Sequence, residues 1–237
     1  MFDNLDRDMD KQSLFIYEPT TDQVAESLVK TGSYLVEPKL PPNEWWEWKS
    51  GIKAPCYCNN RHLNCHPQER KFIGKALSDS VQQAFPDAEY IIGLATAGIP
   101  WAKTVADHLN LPLAYVRSSV KSHGIGNLVE CNPPNKVKAV IIDDLVASGG
   151  SLKQAINALT NETGINVLGI HSIVNWNFEK MRDNLREYKV YALISYPHIL
   201  EAALKLGRID ETEYHELYHF YQNPRQHIWH HQKLTYA

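Results

Sequence analysis

The middle of the chain alternates between short apolar runs and longer amphipathic segments. Almost continuous apolar runs predict buried strands, and there are five: AEYIIGLA, LPLAYVR, KAVIIDD, NVLGIHSIVN and KVYALIS. The segments between them carry apolar residues at helical spacing: GIPWAKTVADHLN, SLKQAINALTNETG and residues 178–187. Buried strands that alternate with helices predict a mostly parallel central sheet flanked by helices. We therefore expect an α/β core over residues 69–195.

The residues on either side of this core show other patterns. TDQVAESLVKT predicts a helix, SYLVEP predicts a short strand, and PQERKFIGKALSDSVQQAF predicts a long amphipathic helix. Near the other end, IDETEYHELYHFYQ predicts a closing helix. We expect an N-terminal helix and lobe over residues 1–68 and a C-terminal helical closure over residues 196–237, which together with the core form one structural unit.

Composition and charge narrow the class of protein. The chain has 237 residues, 43% hydrophobic and 22% charged, which is enough to bury one large core. A formal net charge of -3 gives no general attraction to nucleic acid or anionic lipid. The N-terminus MFDNLDRDMDKQ is acidic, unlike a secretory or transit signal, and no apolar run reaches the roughly 18 residues of a membrane span. We expect a cytoplasmic protein.

The segment CYCNNRHLNCH raises the question of a zinc site. Its candidate ligands are Cys56, Cys58, His62, Cys65 and His66. Structural zinc sites usually pair their ligands as C-x2-4-C and repeat the pair further along the chain, and no second pair follows here. We therefore favour ordinary thiols over zinc ligands, and Cys131 belongs with them.

Two carboxylates and a loop of small residues follow one of the apolar strands, in VKAVIIDDLVASGGSL. Asp143 and Asp144 end the strand, where ligands sit in open α/β sheets. A helix then begins after five small residues, namely Ala147, Ser148, Gly149, Gly150 and Ser151. Glycines let the backbone approach a ligand, and the first N–H groups of a helix attract anions. The segment predicts a sugar phosphate pocket, with carboxylates on the sugar hydroxyls or on hydrated magnesium and loop amides on the phosphate.

Other interpretations of this segment fit less well. A response-regulator receiver also gathers acidic residues after such a strand, but it has half this length. A Walker loop would end in Gly-Lys-Ser/Thr, and ASGGSL contains no Lys. A Rossmann fingerprint is absent. A strand followed by a plain Gly-rich turn remains open from this segment alone.

Other segments resemble a known family. VIIDDLVASGGSL resembles the diphosphoribosyl-binding motif of type I phosphoribosyltransferases. Four more resemble orotate phosphoribosyltransferase in the family's order: WKSGIKAPCYCNNR, IIGLATAGIPWAKTVADHLNLP, YVRSSVKSHGIGNLVE and NPRQHIW. They cover the chain from about residue 20 to the C-terminus. The resemblance implies the type I phosphoribosyltransferase fold, in which residues 1–68 form a hood that recognises the base.

The resemblance also implies a reaction, the Mg2+-dependent transfer of ribose 5-phosphate from phosphoribosyl diphosphate (PRPP) to orotate in pyrimidine synthesis. Mg2+ would be carried mainly by PRPP, with Asp143 and Asp144 as helpers, and no residue is expected to be its dedicated ligand. The implied catalytic residues are Lys121, His123 and Asp144. The implied PRPP contacts are Thr96, Ala97, Gly98, Arg117, Lys121, His123, Asp143, Asp144, Ala147, Ser148, Gly149, Gly150 and Ser151.

Lys121 and His123 lie in the polar segment SSVKSHGIGNLVECNPPNK, which predicts a loop between two strands. An extended loop would place both side chains on one side, facing one anion, and Gly124 and Gly126 suit a lid that moves. By itself this pattern is more typical of a solvated surface loop than of a catalytic one. The resemblance implies that residues 118–127 reach the neighbouring subunit's active site, which makes a homodimer the expected working unit.

For orotate, the resemblance implies contacts from Lys49, Tyr57, Cys58, Ser148 and Trp176. Arg61 is a further candidate, for structure or for charge. The chain departs from the family pattern at four positions: Ala97 and Ser118 stand where many members have Lys, Trp176 where some have Arg, and Cys131 where Gly is common.

Two other functions stay open from the sequence. One is a phosphoribosyltransferase for another base, favoured if Trp176 stacks on a purine. The other is a PRPP-sensing regulator without catalysis, which would show a basic face or an added helix-turn-helix. The sequence has neither feature and keeps Lys121 and His123. We expect an enzyme whose substrates are small molecules, with no nucleic acid or membrane partner.

Overall fold

The structure is a computed structural model that describes residues 15–48, 51–118 and 128–225. The strands in these residues are β1 (Phe15–Ile16), β2 (Tyr34–Val36), β3 (Trp46–Glu47), β4 (Lys53–Ala54), β5 (Cys56–Cys58), β6 (Tyr90–Leu94), β7 (Leu113–Val116), β8 (Val129–Glu130), β9 (Lys138–Val146), β10 (Asn166–Asn175) and β11 (Lys189–Ser195). The α-helices are α1 (Thr21–Lys30), α2 (Pro67–Ala84), α3 (Gly98–Leu109), α4 (Gly150–Thr163), α5 (Glu179–Leu185), α6 (Tyr196–Lys205) and α7 (Glu211–Gln222).

Seven of the described strands form one sheet in the order β1-β11-β10-β9-β6-β7-β8. Its neighbouring strands are parallel except for the pair β7 and β8. The chain places β7 on one side of β6 and then returns to place β9 on the other side. The order of the sheet therefore reverses between β6 and β9, and the carboxyl ends of strands at such a reversal are the usual ligand site of an open α/β sheet.

Burial explains why the apolar runs form the centre of this sheet. Every residue of β6 is buried, and Val140, Ile141 and Ile142 of β9 have no exposed surface. A strand covered on both faces must be apolar at successive positions, which is the pattern in the sequence. Helices α2 and α3 contact each other and the sheet, and α4 contacts both α5 and the sheet. The predicted α/β core with a mostly parallel sheet flanked by helices is confirmed.

The structure corrects the predicted elements in three places. The predicted polar loop contains β8, whose two residues pair with β7. Strand β9 continues to Val146, two residues beyond the predicted end at Asp144. Helix α6 follows β11 directly, whereas IDETEYHELYHFYQ was the one helix predicted individually within the helical closure of residues 196–237.

The described residues divide into two compact units. One comprises residues 15–21 and Pro67–Ser195, and it contains the seven-stranded sheet. The other comprises Asp22–His66 and residues 196–225. These boundaries group Asp22–His66 with residues 196–225, whereas the three-part division expected from the sequence stays a prediction. None of the helices in the described ranges is long and apolar enough to cross a membrane.

A buried polar network organises the second unit. Strands β2 and β5 pair antiparallel, with Tyr34 opposite Cys58. The Tyr34 and Tyr196 hydroxyls lie 2.9 Å apart, and the Tyr196 hydroxyl donates to Cys56 Sγ at 3.2 Å. Burial raises the pKa of the Cys56 thiol to about 12, so this cysteine is an unreactive part of the core. Helix α7 begins with a capping box between Asp210 and Glu213.

Candidate active site

The carboxyl ends of β6 and β9 bring two of the predicted ligand-binding segments together. These strands are parallel neighbours, with Gly93 opposite Ile142. A Cβ atom on Gly98 would lie 2.5 Å from the Ile142 carbonyl oxygen and 3.0 Å from Asp143 Cα. The start of α3 therefore lies directly against the acidic end of β9, so close that only a residue without a side chain fits there.

The loop between β6 and α3 presents backbone donors at this edge. The Ala95 N–H donates to the Val116 carbonyl at 2.9 Å, which ties the loop to β7, and the Ala95–Thr96 peptide bond is cis. Thr96 is exposed and Ala97 is 9% exposed. Ala97 is the N-cap of α3 and supplies no side-chain hydrogen bond to the helix. The first N–H groups of α3 are thus not capped by that side chain and suit an anion.

The loop after β9 has the same property. Gly149 is the N-cap of α4, has φ +70°, and offers no capping side chain to the first-turn amides. That φ lies in the left-handed region, where a side chain would strain the backbone. Ser148 and Ser151 are exposed, while Ala147 and Gly150 are half-buried. The predicted phosphate loop therefore ends at the start of a helix of 14 residues, with its amides available to a ligand.

The two carboxylates at the end of β9 have different surroundings. Asp143 is 8% exposed, and its Oδ1 accepts a hydrogen bond from the Asp144 N–H at 2.9 Å. The same oxygen would lie 3.2 Å from a Cβ on Gly98, which places it beside the N-terminus of α3, where a negative charge is favoured. Asp144 is half-buried. Successive side chains of a strand point to opposite faces of the sheet, so the two carboxylates have different surroundings.

Arg117 follows β7 and carries positive charge at the same end of the sheet. Its backbone N–H donates to the Leu128 carbonyl at 2.9 Å, and its Nη1 lies 3.8 Å from Glu130 Oε1. Nη1 is buried and makes no hydrogen bond to the described residues. A buried guanidinium nitrogen without an acceptor suits an anionic ligand.

The comparisons with known proteins fit this geometry. Residues 61–196 match the phosphoribosyl transferase domain family. The chain is 40% identical over 192 residues to the orotate phosphoribosyltransferase of Halalkalibacterium halodurans, covering 80% of this chain and 91% of that protein. It is 41% identical to the Bacillus subtilis enzyme of the same name, over 80% of this chain and 88% of that protein. The chain belongs to the orotate phosphoribosyltransferase family.

Solved structures agree with this assignment. Orotate phosphoribosyltransferase from Aeropyrum pernix has a TM-score of 0.67 and 27% identity, over 79% of this chain and 99% of that one. UMP synthase from Leishmania donovani has a TM-score of 0.71, over 85% of this chain and 42% of that one, and its 22% identity bears on the fold alone. The resemblance, the type I fold and the prediction of a pentosyltransferase are confirmed.

Five residues predicted for this orotate phosphoribosyltransferase have roles that the structure does not test. Lys49, Lys121 and His123 lie outside the described residues. Tyr57 and Cys58 are half-buried on β5, in the unit without the large sheet. The roles of these five residues stay predictions.

Trp176 lies just beyond β10, and its backbone N–H donates to the Val146 carbonyl at 2.8 Å. Its side chain is 3% exposed and packs near Phe178, with ring centroids 5.5 Å apart. The indole therefore presents little surface to a ligand in this conformation. Its contact with orotate stays a prediction.

The structure explains why glycine is favoured at one of the positions where this chain departs from the family pattern. Cys131, which stands where Gly is common, has φ +75°. This left-handed conformation favours glycine because a Cβ atom crowds the following carbonyl. Cys131 is exposed, and Asn132 after it also has positive φ. Nothing in the structure explains Ala97 or Ser118 in place of Lys.

The candidate zinc ligands of the cysteine-rich segment lie within the described residues. Cys56, Cys58 and Cys65 form no disulfide bond with any described residue, and the His62 and His66 rings lie 4.9 Å apart. No group of three or more His, Cys, Asp or Glu side chains suited to a metal occurs in the part of the chain that the structure describes. Asp143 and Asp144 belong to no such group.

Two residues that the sequence did not single out support the predicted segments. The Asn184 Nδ2 donates to the Ser148 carbonyl at 2.7 Å. The Glu162 carboxylate accepts hydrogen bonds from the N–H groups of Leu128, at 3.1 and 3.2 Å, and of Val129, at 3.1 Å. Both side chains bond to backbone 33 to 36 residues away, and no local sequence pattern signals such a contact.

Proposed function

We propose that the protein transfers ribose 5-phosphate from PRPP to orotate, giving orotidine 5'-phosphate and diphosphate. In this reaction the bond between the sugar and the diphosphate breaks, and a new bond forms from the sugar carbon to a ring nitrogen of orotate. The transition state resembles an oxocarbenium ion, with negative charge growing on the departing diphosphate. Catalysis therefore needs donors and cations at the leaving group and exclusion of water from the activated sugar.

The end of β9 would hold the sugar phosphate. Asp144, which is half-buried, would accept hydrogen bonds from the ribose hydroxyls, while the more buried Asp143 would hold the strand end against α3. The N–H groups at the start of α4, with the hydroxyls of Ser148 and Ser151, would bind the 5-phosphate. This division follows from the unequal exposure of the two acids and from the uncapped start of α4.

The diphosphate would lie at the start of α3. The backbone of Thr96, Ala97 and Gly98 supplies neutral donors there, and Arg117 supplies positive charge. Ala97 brings no cation of its own, so Arg117 would carry more of the charge in this chain. Lys121 and His123 are proposed to contact the departing diphosphate and, with Asp144, to promote its departure.

Magnesium fits this site as part of the substrate. Carboxylate oxygens are ligands that Mg2+ accepts, and it is usually bound by one or two carboxylates together with substrate phosphates. Asp143 and Asp144 match that pattern, whereas a site built wholly from protein ligands has no support in the described residues. Mg2+ bound to the diphosphate would neutralise charge on the leaving group.

Orotate is proposed to contact Lys49, Tyr57, Cys58, Ser148 and Trp176. We also propose a homodimer as the working enzyme, in which residues 118–127 complete the partner's site. Sedimentation of the purified protein tests the dimer. Mixing an Arg117→Ala subunit with a Lys121→Ala subunit tests the sharing, because sharing would place both defects in one site of the mixed dimer and leave its other site intact.

One observation carries the proposed function: the acidic end of β9 lies directly against the start of α3, as the fit of Gly98 requires. The test is turnover by the purified protein with Mg2+ and PRPP, followed as loss of orotate absorbance. Adenine, hypoxanthine and xanthine serve as alternative bases in parallel reactions. Turnover of one of these in place of orotate would refute the proposal.

A further inference from the structure

Helix α5 contacts the loop after β9 through two consecutive residues. Asn184 donates from Nδ2 to the Ser148 carbonyl at 2.7 Å. Leu185 lies under the next residue, since a Cβ atom on Gly149 would be 2.9 Å from Leu185 Cδ1. The end of α5 therefore meets the loop at the peptide unit that joins Ser148 to Gly149.

That peptide unit sets the direction of one of the loop's N–H groups. The Ser148 carbonyl and the Gly149 N–H belong to the same planar group, and in a trans peptide they point in opposite directions. A donor that fixes the carbonyl on the side of α5 thereby turns the N–H toward the opposite side. If the peptide flipped, the carbonyl oxygen would take the place of the N–H and repel a phosphate.

The loop needs such a fixed point because its own sequence does not supply one. Glycine adopts many backbone conformations of similar free energy. The loop contains two adjacent glycines, Gly149 and Gly150. Gly149 also provides no capping side chain that could tie the loop to α4.

Helix α5 is itself well anchored. Met181 and Leu185 are 2% and 1% exposed and belong to the core cluster under the sheet. Arg182 Nη1 donates to the Asn177 carbonyl at 2.8 Å, which ties the helix to the segment after β10. Asn184 thus projects from a rigid support.

We propose that Asn184 is a positioning residue for phosphate recognition, which holds the Ser148–Gly149 peptide so that its N–H faces the 5-phosphate of the sugar. This inference rests on the proposed function, because it assumes that the loop binds that phosphate. Asn184 itself touches no substrate. Its effect should therefore appear in the binding of ribose 5-phosphate and PRPP and be absent from the binding of orotate.

The test compares wild type with Asn184→Ala and Asn184→Leu, the second of which keeps the volume without a donor. Ribose 5-phosphate is titrated into each protein by calorimetry, and KM is measured for PRPP and orotate. Loss of one hydrogen bond predicts a two- to tenfold weaker affinity for ribose 5-phosphate, on the order of a typical net hydrogen-bond contribution, and a parallel rise in KM for PRPP. KM for orotate and the melting temperature should stay at wild-type values.

Asn161→Ala is the matched control, since Asn161 is an exposed asparagine near the end of α4 that lies away from the loop. If both Asn184 variants bind ribose 5-phosphate as wild type does, the inference is wrong while the proposed function stands. A fall in melting temperature with equal losses for all ligands would also overturn it, as a purely structural effect. If wild type fails to bind ribose 5-phosphate, the proposed function fails first, and the inference with it.

Discussion

A Cβ atom on Gly98 would lie 2.5 Å from the carbonyl oxygen of Ile142, closer than a Cβ atom can approach. The contact is between the first turn of α3 and the backbone of β9, neither of which can move without disturbing the sheet. It fixes the distance between the donors at the start of α3 and the carboxylates at the end of β9. The close approach therefore positions two halves of the proposed substrate site.

Gly98→Ala should disrupt both stability and activity. The added methyl group meets backbone atoms that cannot rotate away, and overpacking of this kind destabilises a core by about 1–3 kcal/mol. We expect a lower urea midpoint and a raised KM for PRPP. Gly150→Ala is the control for stability, because its Cβ would meet only Ser148 Oγ, at 3.8 Å. Equal midpoints for wild type and Gly98→Ala would contradict the steric argument.

Substitution of Asp144 should lower mainly activity, whereas substitution of Asp143 should lower mainly stability. Asp144→Ala removes a proposed contact to the sugar, and hydrogen bonds to charged groups contribute about 1.5–3 kcal/mol, so kcat/KM for PRPP should fall roughly ten- to a hundredfold. Asp143→Ala leaves the Asp144 N–H without its acceptor and should lower the free energy of unfolding by about 1–3 kcal/mol. Steady-state kinetics and urea unfolding measure the two effects. The proposed division is refuted if Asp144→Ala loses stability and keeps its activity.

Cys131→Gly should stabilise the protein. Holding a residue with a side chain in the left-handed region destabilises the folded protein by roughly 1–2 kcal/mol. Glycine has more conformational entropy in the unfolded chain, which stabilises the unfolded state by about 0.4–1 kcal/mol. The net gain should be about 0.5–1 kcal/mol in the free energy of unfolding. Cys131→Ala keeps the Cβ atom and removes only the thiol, so it should show no such gain. A gain shared by both variants would assign the effect to the thiol rather than to φ.

The sequence predicted the elements whose physical cause is local or depends on burial. NVLGIHSIVN and KVYALIS coincide with β10 and β11, because a strand covered on both faces must be mostly apolar. The acidic strand end and the small-residue loop were also predicted, because consecutive residues determine the chemistry of each.

The features that the sequence did not predict depend on distant partners. Strand β8 has two residues, too few for any periodicity, and exists because it pairs with β7. The unequal burial of Asp143 and Asp144 follows from the position of α3, and the support from Asn184 depends on where α5 packs. None of these contacts has a signature within a few residues of the side chain concerned.

His171 should make the protein sensitive to acid. It is fully buried on β10, its Nε2 lies 2.6 Å from Ser80 Oγ, and its ring stacks near Tyr191. Burial disfavours the charged imidazolium and lowers the pKa of His171 from 6.5 to about 3. Between these two values the unfolded chain binds a proton that the folded protein does not. The free energy of unfolding should therefore fall with pH below 6.5, by about 1.4 kcal/mol per pH unit for this group.

His171→Gln removes the titrating group and isolates this contribution. At pH 7 the histidine is neutral in both states, so wild type should be more stable than the variant by the packing and hydrogen bond that the variant loses. At pH 5 that advantage should have shrunk by about 2 kcal/mol, as the unfolded wild-type chain takes up its proton. Ser80→Ala keeps the histidine and should retain the steep dependence. Urea unfolding at both pH values measures the differences, and parallel profiles for wild type and His171→Gln would show that His171 does not titrate in this way.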